Sequence, residues 1–144
     1  MKSIILIALG VSGLIGGYVF LSRPDAPPST PVAAEVPDGA LVSVTLPENL
    51  SEAATVGKAL FEGECAVCHG VNAAGRVGVA PPLVHRIYEP GHHGDESFQR
   101  AVALGVQAHH WPFGDMPAVE GVTRADVEMI VAYVRELQRA NGIQ

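Results

Sequence analysis

From Gly70 to Gly94 the chain sets five glycines and three prolines into twenty-five residues that keep neither a helical nor an alternating apolar period. Such a stretch reads as loop. The domain around it, residues 50–144, has fewer than a hundred residues in which to bury enough apolar surface to offset the entropy of ordering so much irregular backbone. Something large and apolar must be enclosed with the side chains.

Helices flank the loop. Ser51 caps a first helix whose small and apolar face is Ala54, Gly57, Ala59, Leu60 and Phe61, ending near Gly63. A shorter helix is predicted over Glu96–Leu104, with Asp95 or Ser97 near its start and Gly105 at its end. In the last helix Thr123 and Asp126 have capping-box spacing, with Asp in the place of Glu. Val127, Ile130, Val131, Tyr133, Val134 and Leu137 then form an apolar stripe, with Arg124, Glu128, Arg135, Glu136 and Arg139 predicted to face outward and Asn141-Gly142 to stop the helix. The expectation is an all-α domain of three to four short helices and long loops.

The first helix leads into Cys65-Ala66-Val67-Cys68-His69, which has the spacing of a haem-attachment motif. Two thiols can add to the two vinyl groups of a porphyrin, and the adjacent imidazole can approach its iron from one face. A disulfide across C-x-x-C would account for the cysteines but not for His69, and a thioredoxin-like site would need a βαβ context that is absent. Zinc would need two further ligands at paired spacings that the chain lacks. These are the chain's only two cysteines, and both fall in the motif.

A closed haem site needs a sixth iron ligand, methionine or histidine in electron-transfer proteins. Met1 is the initiator and Met129 falls inside the last helix. Met116 sits in Trp111-Pro112-Phe113-Gly114-Asp115-Met116-Pro117, where Pro117 biases it toward extended backbone and lets the thioether project. Met116 is the expected distal ligand, with His93 or His110 as alternatives. His85, His92, His93, His109 and His110 could instead contact haem propionates, face solvent or hold a second metal such as copper. Trp111 fits either a propionate contact or a core role.

In the order first helix, C-x-x-C-H, proline-containing loop, late Met-Pro and aromatic-bearing last helix, residues 50–143 resemble the class I c-type cytochromes. The resemblance implies the small cytochrome c fold around one covalently bound haem c. It implies that Ala80-Pro81-Pro82-Leu83 supplies a proline carbonyl to the haem-ligating His69, with Pro81 in that place and Pro82 an open alternative. The family has glycine where this chain has Ala80. Gly57 and Phe61 against Tyr133 look like the family's crossing of terminal helices.

Residues 3–22 are uncharged and predominantly apolar, and at helical rise they span about 30 Å, enough to cross a bilayer once. A cleaved signal peptide would have a shorter apolar core and a small-x-small site, whereas Phe20-Leu21-Ser22-Arg23-Pro24 follows here. The expected organisation is a transmembrane anchor at 1–22, a Pro-rich tether at 23–49 and a cytochrome c domain at 50–144. The amino terminus and Lys2 favour the cytoplasmic side, which puts the haem domain in the periplasm of a bacterial inner membrane.

From Pro24 onward seven Lys/Arg stand against fifteen Asp/Glu. That balance argues against nucleic acid and suits a basic docking surface, with simple solubility as the bland alternative. With two protein ligands on the iron, valence change is the accessible chemistry and no small-molecule substrate is expected. Three functions follow from these features. The first is a single-electron carrier between membrane-bound respiratory or photosynthetic complexes. The second is a permanently docked subunit of a dehydrogenase or oxidase. The third is a haem sensor or small-ligand enzyme, for which the sequence supplies no convincing acid–base group.

Overall fold

A computed structural model describes residues 39–144. Four α-helices carry the domain: α1 (Glu52–Glu64), the single turn α2 (Ala66–His69), α3 (Asp95–Leu104) and α4 (Arg124–Ala140). Single 3-10 turns lie at Val71–Ala73 and Arg86–Tyr88. Among the described residues there is no β-strand, only isolated bridges between Arg76 and Ala80 and between Val106 and Met116. The all-helical expectation holds.

The helix ends follow the chemistry of their first turns. Ser51 accepts the Ala54 N–H at 3.1 Å. At α4, the Thr123 hydroxyl accepts the Asp126 N–H at 3.2 Å while the Asp126 carboxylate accepts the Thr123 N–H at 2.9 Å. Each bond meets a backbone donor that the helix leaves unpaired. Asn141 closes α4, its side chain donating to Leu137 O at 2.7 Å.

Helices α1 and α4 cross, and Gly57 is what lets them approach. A Cβ at that position would lie 1.8 Å from the Met129 carbonyl oxygen, so the two backbones are in contact where a side chain would otherwise stand. Beside this contact Phe61 meets Tyr133 with ring centroids 5.7 Å apart, and both are essentially solvent-free. Ala54, Ile130, Val134 and Leu137 complete the apolar seam. Full burial of a Phe-sized side chain stabilises by about 1.5–3 kcal/mol. Ala59, which the sequence places on this face, is exposed.

Arg135 corrects the sequence reading in the opposite direction. Predicted to face outward, it is only 7% exposed. Its guanidinium donates to Asp95 Oδ1 at 2.9 Å, to Tyr88 O and His93 O at 2.6 Å each, and to Gln138 Oε1 at 2.7 Å. Gln138 in turn donates to Leu83 O and Tyr88 O. An arginine whose N–H groups are met by carbonyls and a carboxylate can be buried without leaving its charge unpaired. The pair pins the Leu83–His93 loop and the start of α3 to α4.

Residues 39–49, which composition assigns to the end of the tether, lie against the domain. Val44 is buried with the core, Leu41 and Val42 donate to Ala74 O, and Thr45 exchanges two hydrogen bonds with the Asn141 side chain. No helix among the described residues is long and apolar enough to cross a membrane. The anchor expected at 3–22 and the tether at 23–38 lie outside the described residues.

Candidate functional site

The C-x-x-C-H segment forms as a continuation of α1. Cys65 ends α1 by donating its N–H to Phe61 O at 2.9 Å, then accepts the N–H groups of Cys68 and His69 at 3.1 and 2.9 Å. One tight turn therefore carries both sulfurs and the imidazole, and residues three apart on a helical turn share a side. No disulfide joins the two cysteines, of which Cys65 is half-buried and Cys68 exposed. Burial, followed by the charges of Glu64 and Cys68, pushes the Cys65 thiol up to about 11.

After His69 the chain reverses through Asn72 and Ala73, both at left-handed φ (55° and 57°), and Tyr133 donates its hydroxyl proton to Asn72 Oδ1 at 3.2 Å. Asn tolerates this conformation, and Ala73 is held in it by tertiary contacts. Ala73 O accepts the Leu83 N–H at 2.9 Å, while Gly75 N–H donates to His69 O at 2.7 Å. Gly75 has φ +74°, and a Cβ there would lie 2.5 Å from Pro82 N. Only glycine lets the Pro81-Pro82 segment come this close.

The close approach sets the imidazole. His69 Nδ1 lies 2.9 Å from Pro81 O. A carbonyl only accepts, so Nδ1 carries the proton and Nε2 the lone pair. Burial lowers the His69 pKa and the Pro81 hydrogen bond partly opposes that, which keeps the ring neutral and able to ligate. Of the two prolines left open by the sequence, the first makes the contact.

Met116 belongs to a separate loop. It exchanges N–H···O bonds of 2.9 Å in both directions with Val106, and the loop is tied to α3 through Val119 N–H to Val102 O. Asp115 Oδ1 accepts the Ala108 N–H at 2.8 Å. The Met116 backbone is thus held extended by a two-bond bridge, and its side chain is half-buried. Cys65, Cys68, His69 and Pro81 are brought together by local chain reversal; Met116 lies on a separate loop bonded to α3 through Val119.

Trp111, in the same loop, stacks on Phe113 at 5.8 Å and meets His85 edge-on at 5.1 Å. Its indole nitrogen is buried without a hydrogen-bond partner. The nearby indole N–H moderates the Tyr88 pKa, which burial pushes up to about 12, without forming a bond of proper geometry. An orphaned buried donor calls for an acceptor, and a porphyrin propionate is one. Two thiols in one turn, a neutral imidazole with an oriented lone pair and this waiting donor together fit haem.

Residues 54–138, more than half of the chain, match the cytochrome c family model, and the chain belongs to the cytochrome c family. It is a c-type cytochrome, a haem-based electron-transfer protein with covalently bound haem c. No curated protein and no solved structure matches the chain.

The sequence reading missed Arg135 and Asn72. Nothing in the local pattern marks an arginine whose partners are carbonyls more than forty residues away. The positive φ of Asn72 has a weak signal in the residue type itself, since Asn is among the few residues that adopt it readily.

Proposed function

We propose that the chain is a class I c-type cytochrome that carries single electrons, with one haem c held through thioethers to Cys65 and Cys68 and with His69 and Met116 as iron ligands. The observation that carries this reading is the 2.9 Å contact between His69 Nδ1 and Pro81 O. It makes Nε2 the free lone pair and orients the ring, as outer partners of metal-ligating histidines do. Nothing else in the motif requires a buried, oriented, neutral imidazole.

When bound, the haem supplies a one-electron ferric/ferrous couple. The protein supplies the rest. Pro81 strengthens His69 as a donor and holds it in one orientation in both valence states. The Val106 bridge holds the Met116 backbone, and thioether ligation would raise the potential by favouring the ferrous state. Trp111 N–H provides a donor for a propionate. If His69 and Met116 both held the iron, no position would remain for oxygen or substrate, and electron transfer would be the chemistry left.

The wider setting belongs to the same proposal. Residues 3–22 anchor the protein in a bacterial inner membrane, the haem domain lies in the periplasm, and its partners are redox proteins in or at that membrane. The acidic balance suits a basic docking surface.

The test is the absorption spectrum of the holoprotein, ferric and dithionite-reduced, before and after carbon monoxide. A c-type spectrum with a far-red methionine-to-iron band, unaltered by carbon monoxide, is expected. Rapid carbon monoxide binding by the reduced protein would remove Met116 as a stable ligand.

A further inference from the structure

Away from the C-x-x-C-H turn, two loops bring three imidazoles together. One ligand nitrogen from each of His92, His93 and His110 lies within 4.8 Å of the others. His92 Nε2 and His110 Nε2 are 3.4 Å apart. At that length the contact is at best a weak hydrogen bond between two ring nitrogens. The distance matches the separation of about 3.3–3.4 Å between two nitrogens bound tetrahedrally to zinc at 2.0–2.1 Å.

The cluster is built rather than incidental. His93 is anchored on three sides: its N–H donates to Glu89 O at 2.8 Å, its carbonyl accepts from Arg135 at 2.6 Å, and its Nδ1 lies 2.6 Å from Ile87 O. A ring nitrogen facing a carbonyl must be the protonated one, so the other carries the lone pair, the arrangement that metal-ligating histidines take from an outer carbonyl. His92 is fixed in the same turn by its N–H to Glu89 O at 3.0 Å. On the opposite loop, Asp115 holds Ala108 and the Gln107 carbonyl holds His109 Nδ1 at 2.8 Å, which sets the backbone just before His110. His92 and His110 are exposed, so small side-chain rotations can close the remaining distance.

We propose that His92, His93 and His110 form a second metal site that binds one Zn2+ through three imidazoles, with water in the fourth position. All three donors are nitrogen, which suits zinc and excludes magnesium and calcium. The ion bridges the turn ahead of α3 to the loop that carries Trp111 and Met116, so binding adds a cross-link between two loops that already touch where Trp111 meets His85. The site rests on the reading that Met116, and none of these three imidazoles, closes the iron on its distal face.

The experiment is calorimetric titration of tag-free, chelator-treated holoprotein with Zn2+ in a weakly coordinating buffer, with Mg2+ as the contrasting ion. One equivalent of Zn2+ should bind, Mg2+ should not, and His92→Gln/His110→Gln should lower the affinity by at least about 100-fold. Both substituted side chains are exposed, so the variant should fold; its haem spectrum and melting temperature report whether it has. In the native protein, amide hydrogen exchange across residues 107–115 should slow on Zn2+ addition and stay unchanged in the variant. No Zn2+ binding, or equal binding by the double variant, would overturn the site. So would a changed axial spectrum in the metal-free variant, which would move these imidazoles to the iron.

Discussion

The two sides of the proposed haem site are built differently. His69 lies in a turn that continues α1, and it is tied within a few residues to Gly75 and across one loop to Pro81. Met116 hangs on a loop whose backbone is bonded to the end of α3 and the residues after it through the Val102–Val119 bond and the Val106 bridge. The proximal side is locked by local chain reversal and by a glycine that no other residue can replace. The distal side depends on where α3 sits, and α3 is placed by Arg135 and Asp95. A local lock and a remote one should fail in different ways.

The largest effect should come from breaking the local lock. Gly75→Val introduces a Cβ 2.5 Å from Pro82 N at a φ of +74°. The backbone strain alone costs about 1–2 kcal/mol, and the clash displaces Pro81 from His69. Yield of correctly assembled holoprotein should collapse, and whatever folds should lose thermal stability by more than any other variant here.

Next is the remote lock. Arg135→Ala leaves the His93 carbonyl without its buried partner and should cost about 2–4 kcal/mol in denaturant unfolding. It should leave the C-x-x-C-H turn intact while loosening the distal side, so carbon monoxide should bind the reduced variant faster than the native protein.

Only some of this was legible in the sequence. Ser51 and Thr123 announced their caps, and the apolar stripe of α4 carried its own period. The C-x-x-C-H turn could be read because its chemistry is contiguous. Spacing put Gly57, Phe61 and Tyr133 on apolar helix faces, but that the three meet was reached through family resemblance, since periodicity within one helix does not say which helix it packs against. Arg135 was misread because helical periodicity assigns faces by hydrophobicity, whereas its burial depends on the carbonyls of Tyr88 and His93. Val44 was hidden in the same way, among prolines whose composition suggests a solvated tether.

A narrower break is Met116→Ala. It should leave folding and thioether attachment unchanged but open the iron. The potential should fall by more than the roughly 60 mV of a tenfold one-electron change, and the reduced protein should take up carbon monoxide. If potentiometry gives the native value, the remote side does not end at Met116.

The smallest expected effect sharpens the comparison by touching neither side. Thr123→Ala removes the α4 cap at a cost of about 1 kcal/mol without altering the potential. The Thr123 hydroxyl and N–H hold the Asp126 carboxyl below its usual range. A depressed folded pKa means that this contribution is complete above the unfolded value and disappears as pH falls through the folded one. Thermal melts of native protein and variant should differ by a constant amount above about pH 5 and by a smaller one as pH falls below about 4, where only the bond from the Asp126 N–H to the Thr123 hydroxyl still separates them.

The central claim is that His69 and Met116 together close the iron. The chain has three methionines, Met1, Met116 and Met129, so methyl-labelled methionine gives a direct readout by NMR of the reduced holoprotein. One methyl resonance should be displaced far upfield by the porphyrin ring current, and that resonance should vanish in Met116→Ala while surviving in Met129→Ala. Three methyl groups at ordinary positions, or a displaced resonance that survives Met116→Ala, would contradict the account.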